Sequence, residues 1–154
     1  MNKILVVEDV SEKFADISAS LLTVLKSKYC VTRVENLNDA EDAVMNGGWS
    51  LILLDISMDI SASGAFDYSS GHATMGGIDI LERMHLMQIS IPTILVTGFD
   101  SFQDPDRFDN AIMNLEDVDQ LAYDWLGDSY LGCVRYGPIG WQADLLKFLE
   151  AWKR

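Results

Sequence analysis

The sequence predicts an α/β fold, a doubly wound five-stranded parallel sheet with helices on both faces. Its central strands are indicated by short, uninterrupted apolar runs that each end at a polar residue, which is typical of strands buried on both faces. These runs are Ile4 to Val7, Leu51 to Leu54 and Ile94 to Val96. Between them the apolar periodicity changes to that of a helix, so strands and helices alternate along the chain. The crossover rules turn this order into a parallel sheet.

Two further segments are predicted to be edge strands because they mix apolar and polar residues. The segment from Cys30 to Glu35 alternates in character, and Leu131 to Tyr136 (LGCVRY) is also partly polar. A strand at the edge of a sheet has a more exposed side, which suits such a pattern. The two segments complete the predicted sheet.

Five helices are predicted from apolar residues that recur at helical spacing. In the second helix, Asn38 is the expected N-cap of a segment from Asp39 to Met45, and Gly47 and Gly48 are the expected stop. The fourth helix is expected to run from Leu115 to Leu126. The apolar faces of the first, third and fifth helices are Phe14, Ile17, Leu21, Leu22 and Leu25; Ile78, Ile80, Leu81, Met84 and Met87; and Leu145, Phe148, Leu149 and Trp152.

Length and composition indicate one globular domain and exclude several classes of partner. The 154 residues suffice for one sizeable core, and 49% hydrophobic with 23% charged residues is ordinary for a globular chain. A net charge of −13 is unfavourable for binding nucleic acid or an anionic membrane surface. No apolar segment is long enough to span a bilayer or to form a signal peptide. The two cysteines lie far apart in the sequence, so a cytoplasmic, reduced protein is expected.

Polar side chains follow three of the predicted central strands. Glu8 and Asp9 come directly after the first strand, Asp55 after the next central strand, and Thr97 after the last of the three. Carboxyl ends of parallel strands share one edge, so the carboxylates should crowd one crevice, where a hard cation such as Mg²⁺ would relieve their repulsion. Asp55 would then be a nucleophile toward phosphorus, with the Thr97 hydroxyl holding the phosphoryl oxygens. For Asp55 alone, a helix cap or a turn is the simpler interpretation.

Four motifs, in order, give the chain a family likeness. They are KILVVED and LILLDISM at the first and third strands, MGGIDILERM at the third helix, and PTILVTG at the fourth strand. Nearly the whole chain thereby resembles the receiver domain of bacterial two-component response regulators. In that flavodoxin-like domain, an aspartate accepts a phosphoryl group from a histidine kinase. The resemblance implies a single receiver domain over residues 1–154.

The resemblance also implies roles for particular residues. Glu8 and Asp9 would hold Mg²⁺, and Asp55 would both ligate the metal and accept the phosphoryl group. Ser57 would offer its backbone carbonyl to the metal. Thr97 would hydrogen-bond the phosphoryl group.

The sequence departs from the family in three places. Asp59 stands where the family usually has a proline, and the loop from there to the family's glycine, Gly77, is long. The lysine that the family carries near the end of its fifth strand has no match, and Arg135 or Tyr136 would stand in for it. Cys133 occupies the place of the aromatic switch residue. Phosphorylation is feasible, but the missing lysine points to slow or absent phosphotransfer.

Two long connections, at about 57–75 and 98–114, follow the carboxyl ends of strands, where ligands of such sheets bind. The first is expected to be a lid or a partner-docking element, with a disordered insertion as the alternative. In the second, DPDRFDN lacks the glycine and the glutamate of a calcium loop and is interpreted as a solvated acidic loop, with a partner surface as the alternative. His72 and His85 have no partners at zinc-ligand spacing and are expected to face solvent.

The resulting hypothesis is a stand-alone receiver with no output domain. It would take a phosphoryl group on Asp55 from a histidine kinase or phosphotransfer protein, catalyse only its own phosphorylation and dephosphorylation, and signal to a separate protein. One alternative is a pseudo-receiver that binds a partner without phosphorylation, and another is a Mg²⁺-dependent phosphohydrolase, which Ser57 disfavours because that class has a second acid there. The apolar stripe of the last helix is expected to pack in the core, with a homodimer face as the alternative.

Overall fold

The main sheet has the predicted architecture. The computed structural model describes residues 1–58, 66–67, 72–73, 76–104 and 107–153. Five parallel strands pair in the order β2-β1-β3-β6-β9, which confirms the doubly wound parallel sheet. They are β1 (Asn2–Val7), β2 (Tyr29–Val34), β3 (Leu51–Leu54), β6 (Thr93–Thr97) and β9 (Tyr130–Arg135). The two strands with mixed character, β2 and β9, are the edges, as their sequences predict.

Helices cover both faces of this sheet. They are α1 (Ser11–Leu25), α2 (Leu37–Asn46), α3 (Ile78–Leu86), α4 (Leu115–Leu126) and α5 (Trp141–Lys153). Helices α1 and α5 share one apolar cluster with the sheet, and α2, α3 and α4 share the other. Trp141, Leu145 and Leu149 of α5 are buried in the first cluster, as expected for core packing. The central strands β1, β3 and β6 are held rigidly from both sides.

The second helix begins earlier than predicted. Asn36, not Asn38, is its N-cap, and the Asn36 side chain accepts a hydrogen bond from the Asp39 backbone N–H at 2.8 Å. Leu37 is buried against the core, which places it inside the helix and leaves Asn38 exposed on its surface. The predicted stop at Gly47 is confirmed, and α4 has the predicted bounds.

The two long connections contain strands that pair with each other. A second, four-stranded sheet has the order β4-β5-β7-β8, formed by β4 (Phe66–Asp67), β5 (His72–Ala73), β7 (Ser101–Gln103) and β8 (Ile112–Asn114). Ala73 pairs with Phe102 and so joins the two connections. Phe102 is fully buried in the cluster beneath α3 and α4, which anchors this accessory sheet to the core.

The second connection is less solvated than its acidic sequence suggests. Asp104 is buried and pairs with Arg107 at 3.3 Å. Arg107 also binds Asp79 and Glu82 of α3, at 2.5 and 3.0 Å. The interpretation of this segment as a solvated loop is therefore wrong for Asp104, because a local cation neutralises it. The side chain of His72 and residues 59–65 lie outside the part of the chain whose side chains are described.

The structure also locates His85 and the two cysteines. His85 faces solvent, as expected, and stacks on Trp125. Cys30 is exposed on an edge strand, whereas Cys133 is partly buried. Within the described residues, no helix is both long enough and apolar enough to cross a membrane.

Candidate functional site

The acidic residues predicted to meet do meet at the carboxyl edge of the main sheet. Val7 pairs with Leu54 at the ends of β1 and β3, so Glu8, Asp9 and Asp55 leave their strands side by side. One carboxylate oxygen from each of these three residues lies within 4.8 Å of the other two. Leu54 in turn pairs with Leu95 of β6, which brings Thr97 to the same edge.

Burial makes it costly to keep the carboxylates of this cluster charged. Glu8 is 1% exposed and Asp55 5%, while Asp9 is exposed. Desolvation, followed by the negative charge of Asp55, raises the pKa of Glu8 to about 7. The same two causes raise the pKa of Asp9 above its usual value. The site therefore favours a cation that would bind the carboxylates in their charged form.

The Asp55 side chain is fixed by its own turn. The Ser57 N–H and the Ser57 hydroxyl both donate to Asp55 Oδ1, at 2.9 and 2.6 Å. The turn is closed by the Gly77 N–H, which donates to the Ile56 carbonyl at 3.0 Å. A Cβ on Gly77 would lie 2.7 Å from the Asp55 carbonyl oxygen, so glycine permits this close approach of two backbone segments. The role predicted for the Ser57 carbonyl stays a prediction.

A lysine that sequence reasoning missed lies at the centre of the cluster. The Lys13 ammonium is 2.6 Å from Glu8 Oε1, 3.0 Å from Asp55 Oδ2 and 2.7 Å from the Val96 carbonyl oxygen. Its side chain is 5% exposed. Three acceptors thus surround the three donors of one ammonium group.

Helix α1 brings Lys13 to this position. Its buried residues are Lys13, Ile17, Ser20, Leu21, Val24 and Leu25, so the lysine begins the helix's inward-facing stripe. The sequence carried this signal, because Lys13 precedes Ile17 by four positions. A lysine in apolar register just after an acid pair predicts an internal ion pair, since lysine is rarely buried without a partner.

The two residues proposed to replace the family's lysine have other partners. Arg135 donates from its guanidinium to the Tyr136 carbonyl at 2.9 Å and lies 3.9 Å from Asp100. The Tyr136 hydroxyl donates to Asp16 at 2.6 Å. Its ring centroid lies 5.8 Å from the Lys13 ammonium, so Tyr136 lies beside the ammonium without contributing a charge.

Thr97 is fully buried at the end of β6. Its hydroxyl accepts a hydrogen bond from the Phe99 N–H at 3.3 Å. Its carbonyl accepts one from the Tyr136 N–H at 2.8 Å, which ties the ends of β6 and β9 together. The hydroxyl lies at the same edge as Asp55, where its role toward a phosphoryl group remains a prediction.

The donor set of the cluster fits a hard divalent cation. Three carboxylates supply the oxygen ligands that Mg²⁺ prefers, and the exposed Asp9 leaves a side open for the waters that Mg²⁺ retains. Glu8 and Asp55 would share their oxygens between such a metal and Lys13. The arrangement has the oxygen ligands to bind such a metal beside the Asp55 carboxylate.

Comparison with solved structures identifies the class of fold. CheY4 of Vibrio cholerae, a chemotaxis protein, has 15% sequence identity and a TM-score of 0.60, with 98% of each chain covered. A CheY-like receiver domain protein from Methanospirillum hungatei has 17% identity and a TM-score of 0.57, covering 99% of this chain and 94% of that one. The response regulator TrrA of Thermotoga maritima, solved in complex with Mg²⁺–BeF, has 15% identity and a TM-score of 0.57 over 99% of both chains.

These likenesses show that the chain has the receiver-domain fold over its whole length. No protein-family model matches the sequence, and no curated protein matches it either. In this fold, the acidic cluster of Glu8, Asp9 and Asp55 lies at the carboxyl edge of the main sheet.

Proposed function

We propose that the protein is a phosphoacceptor that takes a phosphoryl group on Asp55 and signals through protein contacts. Its donor would be a phosphohistidine of a kinase or phosphotransfer protein. Glu8, Asp9 and Asp55, with the Ser57 carbonyl, would hold Mg²⁺, which neutralises charge on the transferring group. The observation that carries this proposal is the meeting of three carboxylates within 4.8 Å at the carboxyl edge of a receiver fold.

The chemistry requires one bond to form and one to break. An oxygen of the Asp55 carboxylate forms a bond to phosphorus, and the bond from phosphorus to the donor nitrogen breaks. The nitrogen keeps the electron pair, and the imidazole leaves in its neutral form because its other ring nitrogen carries a proton. Positioning and charge neutralisation supply most of the catalysis in such a transfer, and the rigid turn that holds Asp55 provides the positioning.

The first test is the loss of an adduct when Asp55 is changed. With Mg²⁺ and beryllofluoride, which stands in for a phosphoryl group, we expect the wild-type protein to change its tryptophan fluorescence. Asp55→Asn should abolish that response, because the amide lacks the nucleophilic charge. Asp100→Asn is the matched control, since Asp100 is exposed and lies outside the acidic cluster.

A wild-type protein that binds Mg²⁺ but gives no response to beryllofluoride would contradict the proposal. An Asp55→Asn protein that responds like the wild type would contradict it as well. Repeated turnover of a phosphomonoester would instead favour a phosphohydrolase.

A second candidate function is a pseudo-receiver that binds partners without being phosphorylated. The observation in its favour is that both oxygens of Asp55 already have protein partners, Ser57 on one and Lys13 on the other. A carboxylate satisfied in this way is a weaker nucleophile until a ligand displaces a partner. This function predicts that partner binding is the same in wild-type protein and in Asp55→Asn.

A further inference from the structure

The position of the Lys13 ammonium supports a further inference, which deepens the proposed function and rests on it. Its ammonium joins three elements of the sheet edge, since Glu8 follows β1, Asp55 follows β3 and Val96 belongs to β6. Among the lysines and arginines that the structure describes, Lys13 is the one that forms an ion pair with Asp55. The cation next to the acceptor carboxylate therefore comes from a helix rather than from a strand.

Stability alone gives a poor account of this lysine. A buried ion pair loses the hydration of both charges, and replacing such a pair by apolar groups of similar volume is often neutral or stabilising. The rest of the buried face of α1 is largely apolar, so a site in which Lys13 and both of its carboxylate partners were apolar would serve the core as well. Because the Lys13 ammonium contacts both Glu8 and Asp55, it is placed to compensate the negative charge that a phosphoryl group brings to Asp55.

The end of β9 is arranged to accommodate that ammonium. Tyr136 presents its ring to Lys13, and its hydroxyl is held by Asp16. The ring also contacts Trp141 of α5, with ring centroids 4.8 Å apart. At this end of β9 the structure thus has an anchored aromatic ring, and the neighbouring cation, Arg135, is bound to Tyr136's own carbonyl.

We propose that Lys13 is the cation of the phosphoryl-acceptor site. It lies on helix α1 and fills the role of a lysine that the last strand, β9, does not have. In the unphosphorylated protein it holds Asp55 and Glu8. On phosphoryl transfer its ammonium exchanges Asp55 Oδ2 for a phosphoryl oxygen. Because Tyr136 contacts both Lys13 and Trp141, the new charge is coupled to α1 and α5.

The test follows phosphorylation by phosphoramidate with Mg²⁺, measured as the mass gain of one phosphoryl group. In this reaction Asp55 oxygen bonds to phosphorus, the phosphorus–nitrogen bond breaks, and the nitrogen takes the electron pair and a proton to leave as ammonia. Lys13→Met should slow the reaction by about 100-fold, the lower end of the loss seen when one hydrogen-bond donor to a developing oxyanion is removed. Lys147→Met, which removes an exposed lysine of α5, should react at the wild-type rate.

Two further variants separate charge from folding. Lys13→Gln keeps a hydrogen-bond donor of similar length without the charge, and we expect it to be slow as well. Adding Tyr136→Lys to Lys13→Met places an ammonium at the end of β9 and should recover much of the rate. A purely structural role for Lys13 would not be restored from another element. Circular dichroism establishes that each variant is folded.

Mg²⁺ binding gives a readout that does not depend on phosphotransfer. Lys13 shares Glu8 and Asp55 with the metal, so Lys13→Met should bind Mg²⁺ more tightly than wild type in a tryptophan fluorescence titration. Lys147→Met should bind it as wild type does. Unchanged or weaker Mg²⁺ binding in Lys13→Met would overturn the shared-ligand part of the inference.

The outcomes distinguish this inference from the proposed function. A folded Lys13→Met or Lys13→Gln that is phosphorylated at the wild-type rate overturns the role of Lys13 and leaves Asp55 as the acceptor. Absence of a phosphoryl adduct on the wild-type protein overturns the proposed function and the role of Lys13 together.

Discussion

Lys13 and Arg107 are each a single cation surrounded by carboxylates, but the two clusters differ in burial. The side chains of Lys13, Glu8 and Asp55 are 5%, 1% and 6% exposed. Those of Arg107 and its partner Glu82 are 25% and 37% exposed. Water screens the second cluster and hardly reaches the first, so the same kind of pairing has different consequences in the two places.

Under the proposed function, the buried cluster serves chemistry and the more exposed one serves attachment. A buried cation beside a nucleophilic carboxylate changes what that carboxylate can bind. A partly exposed arginine with several carboxylates fixes one segment to another and contributes modestly. Arg107 therefore fastens the second long connection to α3, whereas Lys13 is enclosed by the acidic cluster and pairs with Glu8 and Asp55.

The largest expected effect on stability comes from removing the buried cation. Lys13→Met should lower the free energy of unfolding by about 3 kcal/mol without metal, because Glu8 and Asp55 are left as an uncompensated buried pair. Urea denaturation measures this loss. Added Mg²⁺ should recover more stability in the variant than in the wild type, since the metal replaces the lost charge. A loss as small as that of Lys147→Met would contradict the difference between the two clusters.

A smaller effect is expected at the Arg107 cluster, which is more exposed than the Lys13 cluster although its Asp104 is buried. Arg107→Met should lower the free energy of unfolding by about 1 kcal/mol, and less at high salt, because screening weakens its pairs with Asp79 and Glu82. Hydrogen exchange should quicken in β7 and β8 and stay unchanged in β1. The matched control is Arg83→Met, whose single pair with Glu41 at 3.7 Å is exposed and should contribute little. A loss equal to that of Lys13→Met would contradict the conclusion that burial makes the Lys13 pairs stronger than the Arg107 pairs.

The smallest effect is expected at the link between the acidic cluster and α5. A hydrogen bond to Asp16, followed by burial, raises the pKa of Tyr136 to about 12 from its usual value of 10.0. A raised pKa means that the stabilisation is complete below the unfolded-state value and is lost as the pH rises through the folded-state value. Asp16→Asn should bring the Tyr136 pKa back toward 10.0, as seen in the tyrosinate absorbance. An unchanged titration would show that Asp16 does not anchor the ring.

Much of the fold was predictable because its signals are local. Continuous apolar runs predict β1, β3 and β6, and the residues that follow them predict the acidic edge. The accessory sheet was not predictable, because strands of two or three residues have no measurable periodicity and pair across distant segments. The start of α2 was misplaced because two asparagines, Asn36 and Asn38, both suit a cap, and only the burial of Leu37 decides between them.

The sequence analysis predicted the acidic residues of the candidate site but did not predict its cation, Lys13. Glu8, Asp9 and Asp55 follow strands directly, so strand order alone brings them together. Lys13 is brought there by the rotation of α1, and its charge suggests a solvent-facing position unless its helical register is counted. Arg135 and Tyr136 were chosen for their place on the last strand, but their side chains bind Asp100 and Asp16.

The most direct test of the central claim is a crystal structure of the protein with Mg²⁺ and beryllofluoride. We expect beryllofluoride on Asp55, with the Lys13 ammonium about 3 Å from a fluoride, the distance of a charge-assisted hydrogen bond. Lys13 remaining on Glu8 while Arg135 contacts the fluoride would contradict the role assigned to Lys13. Beryllofluoride bound elsewhere, with Asp55 still held by Ser57 and Lys13, would contradict the acceptor role of Asp55.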